Sequence, residues 1–327
     1  MSSQVQRERM NVRRKVLLGL GALAAAPGFA QSVKQARVGV LSASSSRSGT
    51  FYAAFDRRLR ELGWIEGRNL TVEFRRAAAD ERRFAPLAAE LAGLRCDVIV
   101  AGGPEELLAA LKVAAPTIPI VAIAVTYDPV RRGYAASLAR PGGNVTGISL
   151  LAPDVEAKRL DLLHEALPGA RKFAVLWDEQ NFDQRRSAED AARRLKLEAV
   201  LIENRPPHDY DAIFAQARKA GAAGVLAVWS PAVSRDRKRI HEAVLKHRMP
   251  VMSALPVQEL LAFGPNFDKV LARVAEYVDR ILQGAKPGEM PIEQPTAFEL
   301  VINLKTAKAI GVSIPKSMLL RADRLIE

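Results

Sequence analysis

The 327-residue chain predicts an α/β fold of two similar lobes, each a parallel sheet flanked by helices. Three observations carry this expectation. Short apolar runs alternate with amphipathic ones from Ala36 onward, the pattern of a sheet covered by helices. The layout of QARVGVLSASSS, a basic residue followed by an apolar strand and a polar loop, returns in RKFAVLWDEQNFD. Late in the chain KPGEMPIEQP is too rich in proline for a helix or a central strand, and it suits a crossover strand at a hinge or a plain surface loop.

Taken in order, RVGVLS is a strand, and Phe51, Phe55, Leu59 and Leu62 mark a helix face closed by Gly63. NLTVEFR, DVIVAGG and IPIVAIAV supply three more strands with helices before and between them. The turn ARPGGN leads to VTGISLL, and Leu160, Leu163 and Leu167 mark the helix after which the plan begins again. RKFAVLW, KLEAVLIE, AGVLAVWS and MPVMSA are the strands of the second lobe. NFDKVLARVAEYVDRIL then carries Phe267, Val270, Leu271, Val274, Val278 and Ile281 at helical spacing. The expected boundaries are 1–30 for a leader, 33–147 with about 257–297 for the first lobe, and 148–256 with about 298–327 for the second. Two lobes crossed more than once, with a polar cleft between them, are the anatomy of a clamshell binder.

The opening stretch has the three parts of a secretory signal. Arg7, Arg9, Arg13, Arg14 and Lys15 form a charged head, Val16 to Ala26 an apolar run, and Gly28 and Ala30 the small positions before a cut after Ala30. The apolar run is too short to span a bilayer. Arg13-Arg14 resembles a twin-arginine signal, and the general and twin-arginine routes both stay open. Gly19, Gly21 and Ala24 imitate a dinucleotide fingerprint, but no strand precedes them and no acid lies between Glu8 and Asp56. Removing the leader takes five basic residues and one acid, which lowers the formal charge from +12 by four to +8.

The remaining Lys and Arg are scattered among acids along helical segments, with no basic block to track a phosphate backbone, so no nucleic-acid partner is expected. Cys96 is the single cysteine and cannot form an intrachain disulfide; it reads as an apolar filler beside a strand. His164, His208, His241 and His247 are too dispersed for a metal site on one element. No zincin, nucleophile-elbow, phosphate-loop or paired-cysteine pattern appears. The expectation is a protein that is not an enzyme, with no metal and no cofactor.

The segments ELGWIEGRNLTVEFR, LAAELAGLRCDVIVAGG, DPV, SLARPGGNVTGISLLAP, KRLDLLHEALPG and GAKPGEMPIEQPTAFELVINLKTAKAIGVSIPKSMLLRAD resemble, in order, the substrate-binding family of ABC transporters often called TrpX-like or tryptophan/tyrosine-binding. The likeness runs from about Arg37 to Ile326. It implies a type I periplasmic binding protein fold, two Rossmann-like lobes joined by crossover hinge strands. It also implies a monomer that closes on a small ligand in the periplasm and delivers it to a membrane ABC permease. The ligand expected is an amino acid, aromatic in characterised relatives, or a carboxylate. Two other classes use such a scaffold. A LacI-like sensor needs a longer DNA-binding segment before the first strand, and an enzyme on a doubly wound sheet needs an acid, base and nucleophile set that Asp97, Asp128 and Asp178 do not supply by spacing.

The ligand contacts of an open α/β sheet fall on the loops after its strands. Ser44, Ser45 and Ser46 follow the first strand and can donate to a carboxylate, or form a solvated loop. Gly102 and Gly103 offer bare amides at a helix start, or serve a tight turn. Tyr127 and Asp128 follow the fourth strand; Asp128 pairs with a ligand amine or caps a helix. Tyr127, Arg131 and Arg132 stand where the family usually has small residues, which brings an anionic ligand into consideration. Gly147 and Ser149 lie at the first crossover. Trp177 and Asn181, and Trp229 and Ser230, follow two strands of the second lobe, where an indole serves either an aromatic ligand or lobe packing.

Overall fold

The computed structural model describes residues 35–43, 46–47, 52–78, 80–150, 153–255 and 260–327, the side chains of residues 153, 154 and 180 excepted. The expected leader and the expected contacts Ser44 and Ser45 lie outside the described residues.

The first lobe is built on near-continuous apolar runs, which bury both faces of each central strand, as a parallel sheet between helix layers requires. Its elements are β1 (Ala36–Ser42), α1 (Ala53–Glu61), β2 (Leu70–Arg76), α2 (Phe84–Gly93), β3 (Val98–Gly103), α3 (Glu105–Ala114), β4 (Ile120–Ala124) and β5 (Val145–Ser149). The period of two sorts their side chains. Val38, Val40, Val98 and Val100 face a core with α1, whereas Leu41, Ile99 and Ala101 face Leu91, Leu107 and Leu111 of α2 and α3.

The second lobe repeats the scheme with α4 (Pro153–Ala166), β6 (Lys172–Trp177), α5 (Phe182–Arg194), β7 (Glu198–Glu203), α6 (Tyr210–Lys219), β8 (Val225–Ala227), α7 (Pro231–Arg235), α8 (Arg237–His247), β9 (Val251–Ser253) and β10 (Leu261–Pro265). The chain then returns to the first lobe as α9 (Phe267–Leu282) and β11 (Ile292–Glu293). It ends in the second as β12 (Phe298–Asn303), α10 (Leu304–Ile310), α11 (Lys316–Arg321) and β13 (Arg324–Ile326). The strand orders are β11-β5-β4-β3-β1-β2 and β13-β12-β10-β9-β8-β6-β7. All pairs are parallel except β10 with β12.

The chain changes sheet between Ser149 and Pro153, between Pro265 and Phe267, and between Glu293 and Phe298. The last change falls within the Pro-rich segment. Two expected boundaries need correction. Leu261–Pro265, expected in the first lobe, is β10 of the second sheet, because its apolar residues pair with β9 and β12. Ile148 and Ser149, expected to open the second lobe, complete β5 against Ile123 and Ala124.

The returning segment is held by side chains of the first lobe. Val270, Leu271, Val274 and Val278 of α9 join the core of α1 and the sheet. The Tyr277 hydroxyl donates to Pro291 O at 2.6 Å and Thr146 Oγ1 donates to Met290 O at 2.8 Å. Gly147 has φ +135°, and a Cβ there would stand 2.1 Å from Ala122 O, so only glycine lets β5 lie this close to β4.

Candidate functional site

The carboxyl ends of β1, β3 and β4 are level in register, Ser42 beside Gly102 and Gly103 beside Ala124. They face the carboxyl ends of the second sheet across a cavity of about 910 Å³. Ser42, Ser46, Gly102 and Gly103 line it from the first lobe. Trp229, Ser234, Arg235 and Arg237 line it from the second, and residues 264–268 close its hinge end. Both glycines are closely packed: a Cβ at Gly103 would meet Ala43 Cβ at 2.8 Å, too close to fit without a shift, and one at Gly102 would meet the Tyr52 hydroxyl at 3.0 Å. Tyr52 also lines the cavity, and burial pushes its hydroxyl up to about 12, so it is a neutral group at neutral pH.

The walls carry charge of both signs. Arg76, Arg235, Arg237 and Arg324 stand against Asp268, Glu299 and Asp323. Arg235 is already committed, with Nη2 2.7 Å from Asp236, and that guanidinium holds the Asp236 carboxyl below the usual range. Arg237 makes no ion pair among the described residues.

A recess of about 40 Å³ adjoins the cavity and shares Val125, Trp229, Ala254, Pro265 and Phe267 with it. Glu156, Arg159 and Gln184 supply its polar wall. Glu156 and Arg159 are one helical turn apart on α4, only 4% and 5% exposed, and ion-paired. Burial pushes the Glu156 carboxyl up while the Arg159 guanidinium pulls it down. Arg159 Nε also donates to Phe263 O at 2.6 Å, which ties α4 to β10. Three buried polar atoms on this wall, Glu156 Oε2, Gln184 Oε1 and Trp229 Nε1, have no hydrogen-bond partner among the described residues.

Of the residues singled out from sequence, the structure brings Ser46, Gly102, Gly103 and Trp229 together on the cavity wall. It places the others elsewhere. Tyr127 is buried in the core under α2 and α3, edge-on to Tyr134 with ring centroids 6.0 Å apart. Asp128 accepts from Val130 N at 2.8 Å, which caps the turn after β4. Gly147 and Ser149 are inside β5. Trp177 has the Arg185 guanidinium 4.5 Å from its ring centroid. Ser230 caps α7 by accepting from Val233 N at 3.1 Å. Asn181, fully buried, accepts from Asp178 N at 2.9 Å and donates to Trp229 O at 3.1 Å, so it anchors the backbone that carries Trp229. Arg131 and Arg132 stay outside the cavity wall: Arg132 pairs with Glu105 at 3.0 Å, and Arg131 reaches across the lobes to Asp183 at 3.6 Å.

Sequence reasoning missed Glu156, Arg159, Gln184, Arg235 and Arg237. The one available signal was SPAVSRDRKR, a basic run directly after Trp229 and a strand end.

Two parallel-sheet lobes joined by three crossings make the fold shared by type I periplasmic binding proteins and LacI-family regulators, with a mixed-charge cleft at the strand ends. The sequence model described as ABC transporter substrate binding protein matches residues 44–326, and the chain belongs to that family of non-enzymatic binding proteins. A tyrosine-binding protein of Clostridioides difficile (strain R20291) is 26% identical over 267 residues, covering 79% of this chain and 75% of the relative. A conserved domain protein from Vibrio cholerae O1 biovar El Tor has a similar crystal structure, with TM-score 0.79, 25% identity, and coverage of 89% of this chain and all of that one. An ABC domain from Streptococcus pneumoniae in complex with L-Trp has TM-score 0.79 at 19% identity, covering 90% of this chain and all of that one. No helix among the described residues is long and apolar enough to cross a membrane.

Proposed function

We propose that the chain is exported, loses residues 1–30, and acts as a monomeric receptor that closes its lobes on an amino acid with an aromatic side chain and hands it to a membrane permease. Trp229 carries the reading. It lines both the main cavity and the recess, is held by the Asn181 bond to its carbonyl, and keeps an N–H without a partner among the described residues. An indole in that position offers a flat apolar face and one donor, which suits a planar ligand with an acceptor. The tyrosine-binding relative and the L-Trp complex support the same ligand class. Arg237, with no ion pair among the described residues, favours a ligand that carries a carboxylate.

Closure follows from differential affinity: a ligand touching both walls binds the closed form more tightly and populates it. A thermal-shift screen of residues 31–327 against amino acids, aromatic and aliphatic carboxylates, nucleobases and sugars tests the reading. A ligand at a hundredfold excess over Kd adds about 2.7 kcal/mol of stability. Shifts with aromatic amino acids are expected; shifts confined to sugars or nucleobases would overturn the assignment.

A further inference from the structure

We infer that the recess at the hinge end of the cleft is the subsite for the ligand's protonated amine, with the Glu156 carboxylate and the Gln184 amide as its acceptors and Trp229 Nε1 as the donor to the adjoining carboxylate. The inference rests on the reading of the cleft as a small-molecule site and narrows it, because an anion lacking an amine would leave the recess unmatched.

The recess is built from two buried side chains and one half-buried indole. Glu156 is 4% exposed and Gln184 8%, and each has one oxygen without a hydrogen-bond partner among the described residues. A buried polar atom left unpaired is destabilising, so such atoms on one wall point to a group that is supplied from outside. The recess of about 40 Å³ holds a group the size of an ammonium or of one water, and it opens onto the larger cavity through Trp229 and Phe267.

Charge decides between the candidates. Arg159 is committed to Glu156 and to Phe263 O, so the pair presents no net positive charge to the recess. What remains is two acceptors, one from a carboxylate, and one donor. A protonated amine donates to both acceptors and adds a cation beside Glu156. A simple carboxylate would instead set an anion beside that anion and accept from Trp229 alone. In an α-amino acid the carboxylate lies one carbon from the amine, which matches one donor beside two acceptors. The side chain then extends into the main cavity.

Titration calorimetry with L-tryptophan and L-tyrosine, and with indolepropionate and hydroxyphenylpropionate, which keep ring and carboxylate but lack the amine, tests the assignment. The wild-type chain is expected to bind the amino acids at least about tenfold more tightly than the deamino analogues. Glu156→Gln and Gln184→Leu are each expected to weaken the amino acids by roughly 10- to 100-fold, as loss of a buried bond to a charged group does, and to leave the analogues within about threefold. Glu156→Gln leaves Arg159 without its counter-charge; if it does not fold, Gln184→Leu and the wild-type comparison still decide. Analogues bound as tightly as the amino acids, or variants that weaken both probes equally, would overturn the subsite alone. A resident water in the recess would give that result. No binding of any probe to the wild type would overturn the proposed function, and the subsite with it.

Discussion

Gly147→Ala is predicted to destabilise the first lobe without removing a ligand contact. The added Cβ would stand 2.1 Å from Ala122 O, 2.6 Å from Ala122 N and 2.9 Å from Ala122 C, all backbone atoms of the neighbouring strand, so no side chain can turn aside. The position also has φ +135°, a region that costs a residue with a Cβ about 1–3 kcal/mol. Forcing β5 away from β4 adds about 1–3 kcal/mol of overpacking, for a total of about 2–6 kcal/mol. The chain has 3 tryptophans, and Trp64 is the one in the first lobe, 8% exposed with Nε1 donating to Asp279 at 2.9 Å. In a Trp177→Phe, Trp229→Phe background its fluorescence reports that lobe alone. With a urea dependence of about 1–3 kcal/mol/M, the midpoint should fall by at least about 0.7 M. An unchanged midpoint, together with weakened ligand binding in the chain that retains Trp177 and Trp229, would refute the packing account and make Gly147 a ligand contact.

The Arg131–Asp183 pair joins the lobes at 3.6 Å, but its side chains are 72% and 51% exposed. Asp183→Asn should therefore weaken ligand binding by no more than about fivefold at low salt, and the effect should fade as salt rises. A loss above tenfold, or one indifferent to salt, would contradict that estimate in a calorimetric titration at two ionic strengths. Burial pushes the Cys96 thiol up to about 11. Stability gains nothing from this below the unfolded value, and the thiolate is suppressed at pH 8, so a thiol reagent should label the native chain at least about a hundredfold more slowly than the urea-unfolded one. Equal rates would mean that Cys96 is exposed.

The sheets were largely legible because parallel strands buried on both faces leave apolar runs such as DVIVAGG and IPIVAIAV, which no surface helix would show. β10, β12 and β13 were not read as strands. LAFGP ends in two residues that usually break strands, and RLI keeps two of its three residues exposed. The cleft was legible only at strand ends and the loops after them, as with Gly102 and Gly103 at the end of β3 and Ser46 and Trp229 beyond β1 and β8. Glu156 and Arg159 lie on DVEAKRLDLLHEAL with the spacing of an ordinary surface ion pair. Their burial comes with the packing of α4 against β10, where Arg159 donates to Phe263 O, and no local pattern encodes that. The same limit explains Arg131, whose charge suggested an anion pocket but whose partner is Asp183 in the other lobe.

The decisive experiment is titration of residues 31–327 with L-tryptophan and L-tyrosine, beside the Trp229→Ala variant. Saturable one-to-one binding to the wild type is expected, at least about tenfold weaker in Trp229→Ala, as loss of an aromatic contact and its donor requires. Binding that Trp229→Ala leaves intact would place the ligand outside this cleft, and an absence of binding to the wild type would contradict the aromatic amino-acid receptor itself.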